Sequence, residues 1–367
     1  MDKTYTQSSA SPLPFRHGRR MVGAPRRWLW MAVASTIVFV LVVAVVVWAA
    51  AFDRCRRRQR RHRCYGLLAP NHVPPLWRWW RTDDDHSSSS SGCWLEVVIA
   101  RYNESLAWLD DAHLQTLLSA AAARVRRTRG GGGDAKGAAP LIRYRVYNKG
   151  ADTETAVAVG SGVTTATRIS SLPNVGRCDH TYLHHVITEY DCGLAPVTLF
   201  VPASVPDSYK WGKLCHILRH LRRHPWDSCL VGSPVDPGDM EGFFLDEWRA
   251  SNPENNQVNP ETTLLPASPR PFGPWFRAQF GGEAAAWPRI VSYGGILAVS
   301  RHDIRQHPVD GWYRSLRDQV ATHSNPEAGH YIERSWETIF GPFRRPEVSR
   351  CYGVDDDSAH CPDEAEA

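Results

Sequence analysis

Residues 94–105 read WLEVVIARYNES, an apolar run that ends in a polar turn. A short apolar run bounded by turn residues is typical of a buried strand. Apolar residues at helical spacing follow at 106–125, and the strand pattern returns in LIRYRVY (141–147) and VTLFVP (196–201). Strands that alternate with helices favour an α/β fold, with a mainly parallel sheet flanked by helices.

Later segments extend this pattern. The stretch RIVSYGGILAVS (289–300) contains strand-like runs that are broken by Gly294 and Gly295. Apolar periodicity and turn signals predict further helices, with Asp179 as the N-cap of the first, at 179–191, 210–223, 309–322 and 326–340. Residues 127–140 and 232–272 are rich in Gly or Pro and read as irregular insertions.

A long apolar segment precedes this domain. Residues 28–52 read WLWMAVASTIVFVLVVAVVVWAAAF, with no charge, Pro or Gly. As a helix at ~1.5 Å per residue it would be about 37 Å long, more than the roughly 30 Å of the hydrocarbon core. A cleaved signal peptide would have a shorter apolar core of ~7–15 residues and a small-residue cleavage site. An arginine run follows instead, so we predict a retained transmembrane helix, with the lipid bilayer as a partner.

The remaining chain divides around the span and the domain. We predict a disordered basic tail at 1–27, an Arg-rich and Ser-rich stem at 53–92, the α/β domain at 93–345 and an acidic tail at 346–367. The chain has 43% hydrophobic and 22% charged residues, which excludes wholesale disorder. The formal charge of +5 arises from arginines beside the span. A nucleic-acid-binding protein needs its basic stripe on the folded domain, so we exclude that class.

The orientation in the membrane stays open at this stage. Arginines flank the span on both sides, so the positive-inside rule is nearly balanced. A short tail before a large domain suits a signal anchor, and we expect a lumenal domain of the endoplasmic reticulum or Golgi type over a cytosolic one. The nine cysteines contain no CxxC pair and are compatible with disulfides or with thiols. Asn103-Glu104-Ser105 is a glycosylation sequon that can report the topology.

Polar turns follow the predicted strands. Open α/β sheets bind ligands beyond the carboxyl ends of their strands. Candidate substrate-binding residues lie at three such places: Arg101 and Asn103, then Asn148 and Lys149, then Asn174, Gly176 and Arg177. The alternative is that these are ordinary polar turns. Gly176 and the following helix start would offer free N–H groups to an anion, and Arg177 a fork of donors.

Two helices carry candidate acid and base residues. His180 and His184 lie at i and i+4, but no third metal ligand is indicated. His180, at the start of the predicted helix, is the better functional candidate. In NPEAGHYIERSWETIF (325–340), His330 and Glu333 are i, i+3 neighbours that suit an acid/base pair, with Arg334 beside them. The alternative is a packing helix whose charged side chains are solvated.

Motifs for other chemistries are absent. No GxSxG, HExxH, P-loop or GxGxxG occurs. A metal-dependent sugar-nucleotide transferase would carry Asp-x-Asp after a central strand, and VTLFVP is not followed by one. A divalent metal remains possible as a cofactor, but no motif supports it.

Five blocks of the chain, taken in order, resemble the domain-of-unknown-function 3431 family: VVIARYNESLAWL (97–109), YNKG (147–150), LPNVGRCDHTYLHHVITEYD (172–191), GGILAVSRHDI (294–304) and NPEAGHYIERSWETIF (325–340). The similarity covers roughly residues 94–342, and its most specific blocks are GRCDHTYL and GHYIERSW. It implies a glycosyltransferase-A-like fold and transfer from a nucleotide sugar to a glycan or protein acceptor. The family carries Glu after the Gly-Arg pair, whereas this chain has Cys178.

The resemblance assigns roles to the candidate residues. Arg101 and Arg177 would bind phosphate or sugar, with Gly294, His330 and Arg334 also in the substrate site. Asp179, His180 or Glu333 would supply the acid/base group. If the family's Glu is the catalytic group, this protein either uses Asp179 instead or is inactive. A non-catalytic, membrane-anchored binding module of the same fold is therefore the alternative.

Overall fold

The computed structural model describes residues 93–127, 141–151, 167–206, 209–249, 263–281 and 287–351. The predicted membrane span, both tails beyond these limits and the Gly-rich stretch at 128–140 lie outside the described residues. Within the described ranges, no helix has the length and apolar character needed to cross a bilayer.

In the described part of the chain, one mixed sheet contains seven strands: β1 Cys93–Arg101, β2 Leu141–Asn148, β3 Thr167–Ser171, β4 Val197–Pro202, β5 Cys229–Val231, β8 Leu297–Ser300 and β9 Arg350–Cys351. Their order across the sheet is β3-β2-β1-β4-β8-β5-β9. The neighbours β3, β2, β1 and β4 are parallel, β8 is antiparallel to β4 and β5, and β9 is parallel to β5. Two further short strands, β6 (Ser233–Pro234) and β7 (Ile290–Val291), pair with each other.

Helices cover both faces of the sheet, which confirms the α/β class. Their bounds are α1 Ala112–Arg127, α2 Arg177–Glu189, α3 Tyr209–Arg223, α4 Pro237–Glu241, α5 Phe272–Phe280, α6 Arg301–Ile304, α7 Arg314–Val320, α8 Glu327–Arg334, α9 Trp336–Phe340 and α10 Pro346–Ser349. Single turns of 3-10 helix occur at Ala107–Asp110 and Tyr293–Gly295, and a π-type turn at Val309–Tyr313.

The alternation of β1 divides the core into two layers. Val97 and Ile99 point to the layer that contains α1 and α3, whereas Val98 and Ala100 point to the layer that contains α2, α5, α7, α8 and α9. A parallel sheet that is buried on both faces has mostly apolar strands, as these are. Each fully buried Leu or Ile contributes about 1.5–3 kcal/mol relative to exposure.

The start of α2 differs from its prediction. The helix begins at Arg177 with Gly176 at the N-cap position, so the prediction that Asp179 is the N-cap is wrong. Gly176 has a φ of +56°, and a Cβ there would lie 2.3 Å from the carbonyl oxygen of Val320. Only glycine fits both the left-handed backbone and this close approach, and the turn therefore ends at Gly176.

Several elements lacked a clear sequence signal. Strand β3 reads TRISS and β5 only CLV, so neither shows the apolar run of a buried strand. Helix α5 follows a Pro-rich stretch that reads as irregular. Strand β9 lies beyond the predicted domain boundary at 345 and joins the sheet through β5.

The cysteines of the domain occur in both states. Cys215 and Cys229 are disulfide-bonded, while Cys178 is a thiol.

A buried ion-pair network joins α2 to the sheet. Glu96, which is fully buried, accepts hydrogen bonds of 2.7 Å from both Nε and Nη2 of Arg143 and one of 3.0 Å from Arg145. His185 of α2 has its Nε2 3.6 Å from the same carboxylate and its Nδ1 3.1 Å from the hydroxyl of Tyr147. Burial alone would raise the pKa of Glu96, but His185 and Arg143 together lower it to about 2.

We predict that Glu96→Gln destabilises the domain by about 3–5 kcal/mol, because Arg143, whose side chain is only 13% exposed, loses its counter-charge. Since folding lowers the pKa of Glu96 from 4.5 to about 2, its contribution is complete above pH 4.5 and is lost as the pH falls towards 2. Urea unfolding of both proteins across this range should show a wild-type decline that the variant lacks.

The exposed Glu247 provides the control, because Glu247→Gln should leave stability within about 0.5 kcal/mol. Equal stability of Glu96→Gln and wild type at neutral pH would contradict a structural role for the network.

Candidate functional site

One edge of the sheet gathers the ends of several strands. Backbone N–H groups just past β2 and β4 donate across this edge, from Lys149 to the carbonyl of Arg101 and from Ala203 to that of Ala100, both at 2.8 Å. Because β8 runs opposite to β4 and pairs Leu297 with Phe200, the residues that precede β8 lie at the same edge. The carboxyl ends of the parallel strands and the 293–295 turn therefore meet.

Lys149 positions the first turn of α2 at this edge. Its ammonium donates a hydrogen bond of 2.6 Å to the carbonyl of Val175 and a second one to the carbonyl of Arg177. The N–H of Gly176 donates to the carbonyl of His323 at 2.8 Å. The predicted role of Gly176 as a free N–H donor to an anion is therefore not available in this structure.

One buried and one half-buried acid, Asp179 and Glu333, lie at this edge. Asp179 is 4% exposed, and its Oδ1 is buried without a hydrogen-bond partner. Burial, and then the charge of Glu333, raise the pKa of Asp179 well above its ordinary value. Glu333 of α8 accepts a hydrogen bond of 2.8 Å from the N–H of Gly294, and burial raises its pKa as well. The charge of Glu333 thus makes ionisation of Asp179 less favourable.

Four basic side chains surround the acids. The charges of Arg177 and Lys149 act on Asp179, and those of Arg334, Arg177 and Lys213 act on Glu333. Burial lowers the pKa of Lys149 to about 8 and that of Arg177 to about 10. We call these six residues the edge cluster: Lys149, Arg177, Asp179, Lys213, Glu333 and Arg334.

Aromatic rings hold the two guanidinium groups in place. The Arg177 guanidinium lies 3.1 Å from the ring centre of Trp248 and donates to Oδ1 of Asn325 at 2.7 Å. Arg334 lies 3.6 Å from the ring centre of Phe243 and donates to the carbonyl of His330 at 3.0 Å. Stacking and hydrogen bonding on both groups restrict their rotamers.

The side chain of Cys178, in the first turn of α2, faces the turn before β8. A Cβ on Gly295, whose φ is +67°, would lie 2.9 Å from its Sγ. The hydroxyl of Tyr182 donates to the carbonyl of Gly295 at 2.7 Å. Burial raises the pKa of the Cys178 thiol well above its ordinary value, so it is a neutral group at physiological pH.

The histidines are buried in their neutral form. Burial lowers the pKa of His180 to about 3 and that of His330 to about 2. His180 stacks on His184 at 6.1 Å, and among the described residues no group of three ligands suits a metal ion. Neither His180 nor His330 titrates near neutral pH, which weakens both as general bases.

The predicted His330–Glu333 acid/base pair does not form. Glu333 turns to the N–H of Gly294, and Nε2 of His330 has no hydrogen-bond partner. The His330 ring instead lies 5.1 Å from that of Trp248. The helical spacing is correct, but each side chain meets a different element.

Arg101 and Asn148 lie on the other face of the sheet. Arg101 continues the alternation of Val97 and Ile99, so its side chain points to the layer of α1 and α3. It donates to Oδ1 of Asn148 at 2.9 Å and to the carbonyl of Glu104 at 2.7 Å. Arg101 thus links the loop after β1 to the end of β2, on the face of the sheet opposite to Arg177.

The other predicted positions lie at the rim. Asn103 is exposed with a φ of +63°, Asn174 is half-buried, and Gly294 has a φ of +83°. Sequence reasoning missed Lys213 and Trp248. The sequence contains one signal for Lys213, a lysine that interrupts the apolar face of α3. Trp248 lies in an irregular stretch that gives no such signal.

No protein-family model matches this sequence, and no curated protein is significantly similar to it. The functional argument therefore depends on the geometry and charge of the edge cluster.

We predict that Asp179→Asn stabilises the domain at neutral pH. Because folding raises the pKa of Asp179, wild-type stability falls as the pH rises above its ordinary value of 3.8. The variant lacks this loss, and a gain of about 1 kcal/mol would raise Tm by about 2–4 °C. Thermal unfolding should show this gain in Tm at neutral pH and no gain at about pH 4.

Asp303 is the matched control, since it is also buried but accepts hydrogen bonds from Ser228, Ser300 and Gln306. Asp303→Asn should therefore destabilise the domain. A loss of stability in Asp179→Asn comparable to that of Asp303→Asn would contradict the view that the edge cluster is an unsatisfied binding site.

Proposed function

We propose that this chain is a single-pass, membrane-anchored glycosyltransferase-like protein that transfers sugar from a nucleotide sugar to a glycan or protein acceptor. The observation that carries the proposal is the Asp179 carboxyl, which is buried with one unpartnered oxygen beside Glu333, Arg177 and Lys149. These residues come from distant segments and meet at the carboxyl edge of parallel strands, where open α/β sheets bind ligands.

The five sequence blocks that resemble the domain-of-unknown-function 3431 family direct the choice of chemistry. Three of these blocks supply residues of the edge cluster: YNKG supplies Lys149, GRCDHTYL supplies Arg177 and Asp179, and GHYIERSW supplies Glu333 and Arg334. On this proposal the sheet is of the glycosyltransferase-A-like type, with the antiparallel strand β8 beside the donor site.

The cluster has the groups that sugar transfer requires. The acceptor oxygen forms a bond to the anomeric carbon, while the bond from that carbon to the phosphate oxygen breaks. The acceptor's proton moves to the ionised carboxylate of the Asp179–Glu333 pair, whose raised pKa makes it a stronger base. The basic side chains of Arg177 and Lys149 stabilise the negative charge that develops on the leaving nucleoside diphosphate.

Cys178 favours the second candidate, a non-catalytic binding module. The resembling family has Glu at this position, and here the side chain is a neutral thiol next to Gly295. If the catalytic base belongs at this position, the fold would retain the donor site without turnover.

We expect Asp179→Asn and Glu333→Gln to lower kcat by about 10²–10⁴-fold with little change in KM, because each removes the proton acceptor and not the phosphate contacts. The measurement is sugar release from UDP- and GDP-sugars by the full-length chain in detergent. Asp239→Asn, on the exposed surface of α4, is the control and should retain wild-type rates.

Donor binding without turnover in the wild type would support the binding module. If saturation-transfer NMR detects no nucleotide sugar on the full-length chain, both candidate functions are wrong.

The domain is proposed to lie in the lumen, on the far side of a span at 28–52. Cys215 and Cys229 are disulfide-bonded, and structural disulfides form in oxidising compartments. Asn103 of the sequon is exposed, so an oligosaccharyltransferase can reach it.

In eukaryotic cells the full-length chain should therefore carry an N-glycan on Asn103, seen as a mobility shift that a glycosidase removes. Ser105→Ala destroys the sequon and should abolish the shift. An unglycosylated chain whose C-terminus is digested by protease outside sealed microsomes would place the domain in the cytosol.

A further inference from the structure

The edge cluster contains more positive than negative charge. Its basic members are Lys149, Arg177, Lys213 and Arg334, and its acids are Asp179 and Glu333. With four basic and two acidic side chains, the cluster carries a net positive charge even when both acids are ionised. Lys149 and Lys213 are buried, and buried positive charge is costly without an anion.

We propose that the four basic side chains of the edge cluster bind the diphosphate of the donor directly, in the role that a divalent metal ion has in metal-dependent transferases. This inference rests on the proposed function and names the group that the site recognises. The ligand class is a nucleoside diphosphate, held through its phosphate oxygens.

Three of the basic side chains donate their hydrogen bonds to neutral oxygens. Lys149 donates to the carbonyls of Val175 and Arg177, and Arg334 to the carbonyl of His330. Arg177 donates to the amide oxygen of Asn325. All these acceptors are neutral oxygens, so the cations are positioned by the fold while their charge remains available to an anion.

The two guanidinium groups suit phosphate geometry. Arg177 comes from the start of α2 and Arg334 from the end of α8, and both charges act on Glu333. Each is stacked on a ring, Trp248 for Arg177 and Phe243 for Arg334. A planar fork that is already ordered loses little entropy when it binds two phosphate oxygens.

The unpartnered oxygen of Asp179 gives an independent indication of a ligand. It is buried and has no donor, although Arg177 and Lys149 lie close enough to affect its pKa. A protonated Asp179 can donate a hydrogen bond to a phosphate oxygen. An ionised Asp179 can accept a hydrogen bond from the hydroxyl of the sugar acceptor. Added divalent cations would be repelled by the basic residues and would strengthen binding little.

The test is isothermal titration calorimetry of the full-length chain in detergent with UDP, GDP and inorganic pyrophosphate. Each titration is done with EDTA, with Mg²⁺ and with Mn²⁺. We expect binding in EDTA, a change of less than about threefold on adding either metal, and weaker binding as the salt concentration rises.

Arg177→Gln and Arg334→Gln should each weaken binding by about 10–100-fold, because each removes a charge-assisted pair. Arg314→Gln, an exposed arginine paired with Asp310 on the surface, should bind as the wild type does. The comparison of EDTA with metal needs no variant, so it decides the question even if a substitution unfolds the protein.

Nucleotide binding that requires Mg²⁺ or Mn²⁺ would overturn the inference and leave the proposed function intact. Binding of pyrophosphate in EDTA without binding of UDP or GDP would support the anion site and refute the nucleotide-sugar function. No binding of any probe would overturn both.

Discussion

The ammonium of Lys149 joins the end of β2 to the first turn of α2, and the geometry of the edge depends on this contact. Its two acceptors are backbone carbonyls, so the contact fixes the path of the chain and not one rotamer. Gly176 completes the turn, because its left-handed backbone lets α2 begin against the carbonyl of Val320. Arg177, Cys178 and Asp179 then enter the edge together, in consecutive positions of one helical turn.

Helix α2 carries opposite electrostatic situations at its two ends. Its first turn holds Asp179, whose burial without a full set of partners costs stability. Its later residues His185 and Glu189 meet the ion-paired network of Glu96 and Arg145, which stabilises the folded state. The ion pairs near the C-terminal end of α2 stabilise its packing on the sheet, while its first turn retains charges suited to a ligand. Functional sites commonly contain such unfavourable groups, which the rest of the fold offsets.

Much of the fold could be predicted from local pattern, and the site only in part. The apolar runs of β1, β2 and β4 identify a central parallel sheet. The polar turn after β2 predicted Lys149, the loop that opens α2 predicted Arg177, and the family resemblance added Asp179. The prediction for His330 and Glu333 was right in spacing and wrong in partnership, because helical periodicity does not say which neighbouring element each side chain meets. Arg101 was assigned to the site from its position after β1, but strand alternation places it on the opposite face. Trp248 could not be found, since its role arises only when an irregular loop packs on α2 and α8.

The order of the contributing segments has a consequence for biosynthesis. Lys149 and Arg177 belong to the first half of the described domain, whereas Glu333 and Arg334 belong to α8, near its end. A domain generally folds as a unit during synthesis. The edge cluster can therefore form only after α8 has emerged, so a partly synthesised protein lacks Glu333 and Arg334 of the cluster.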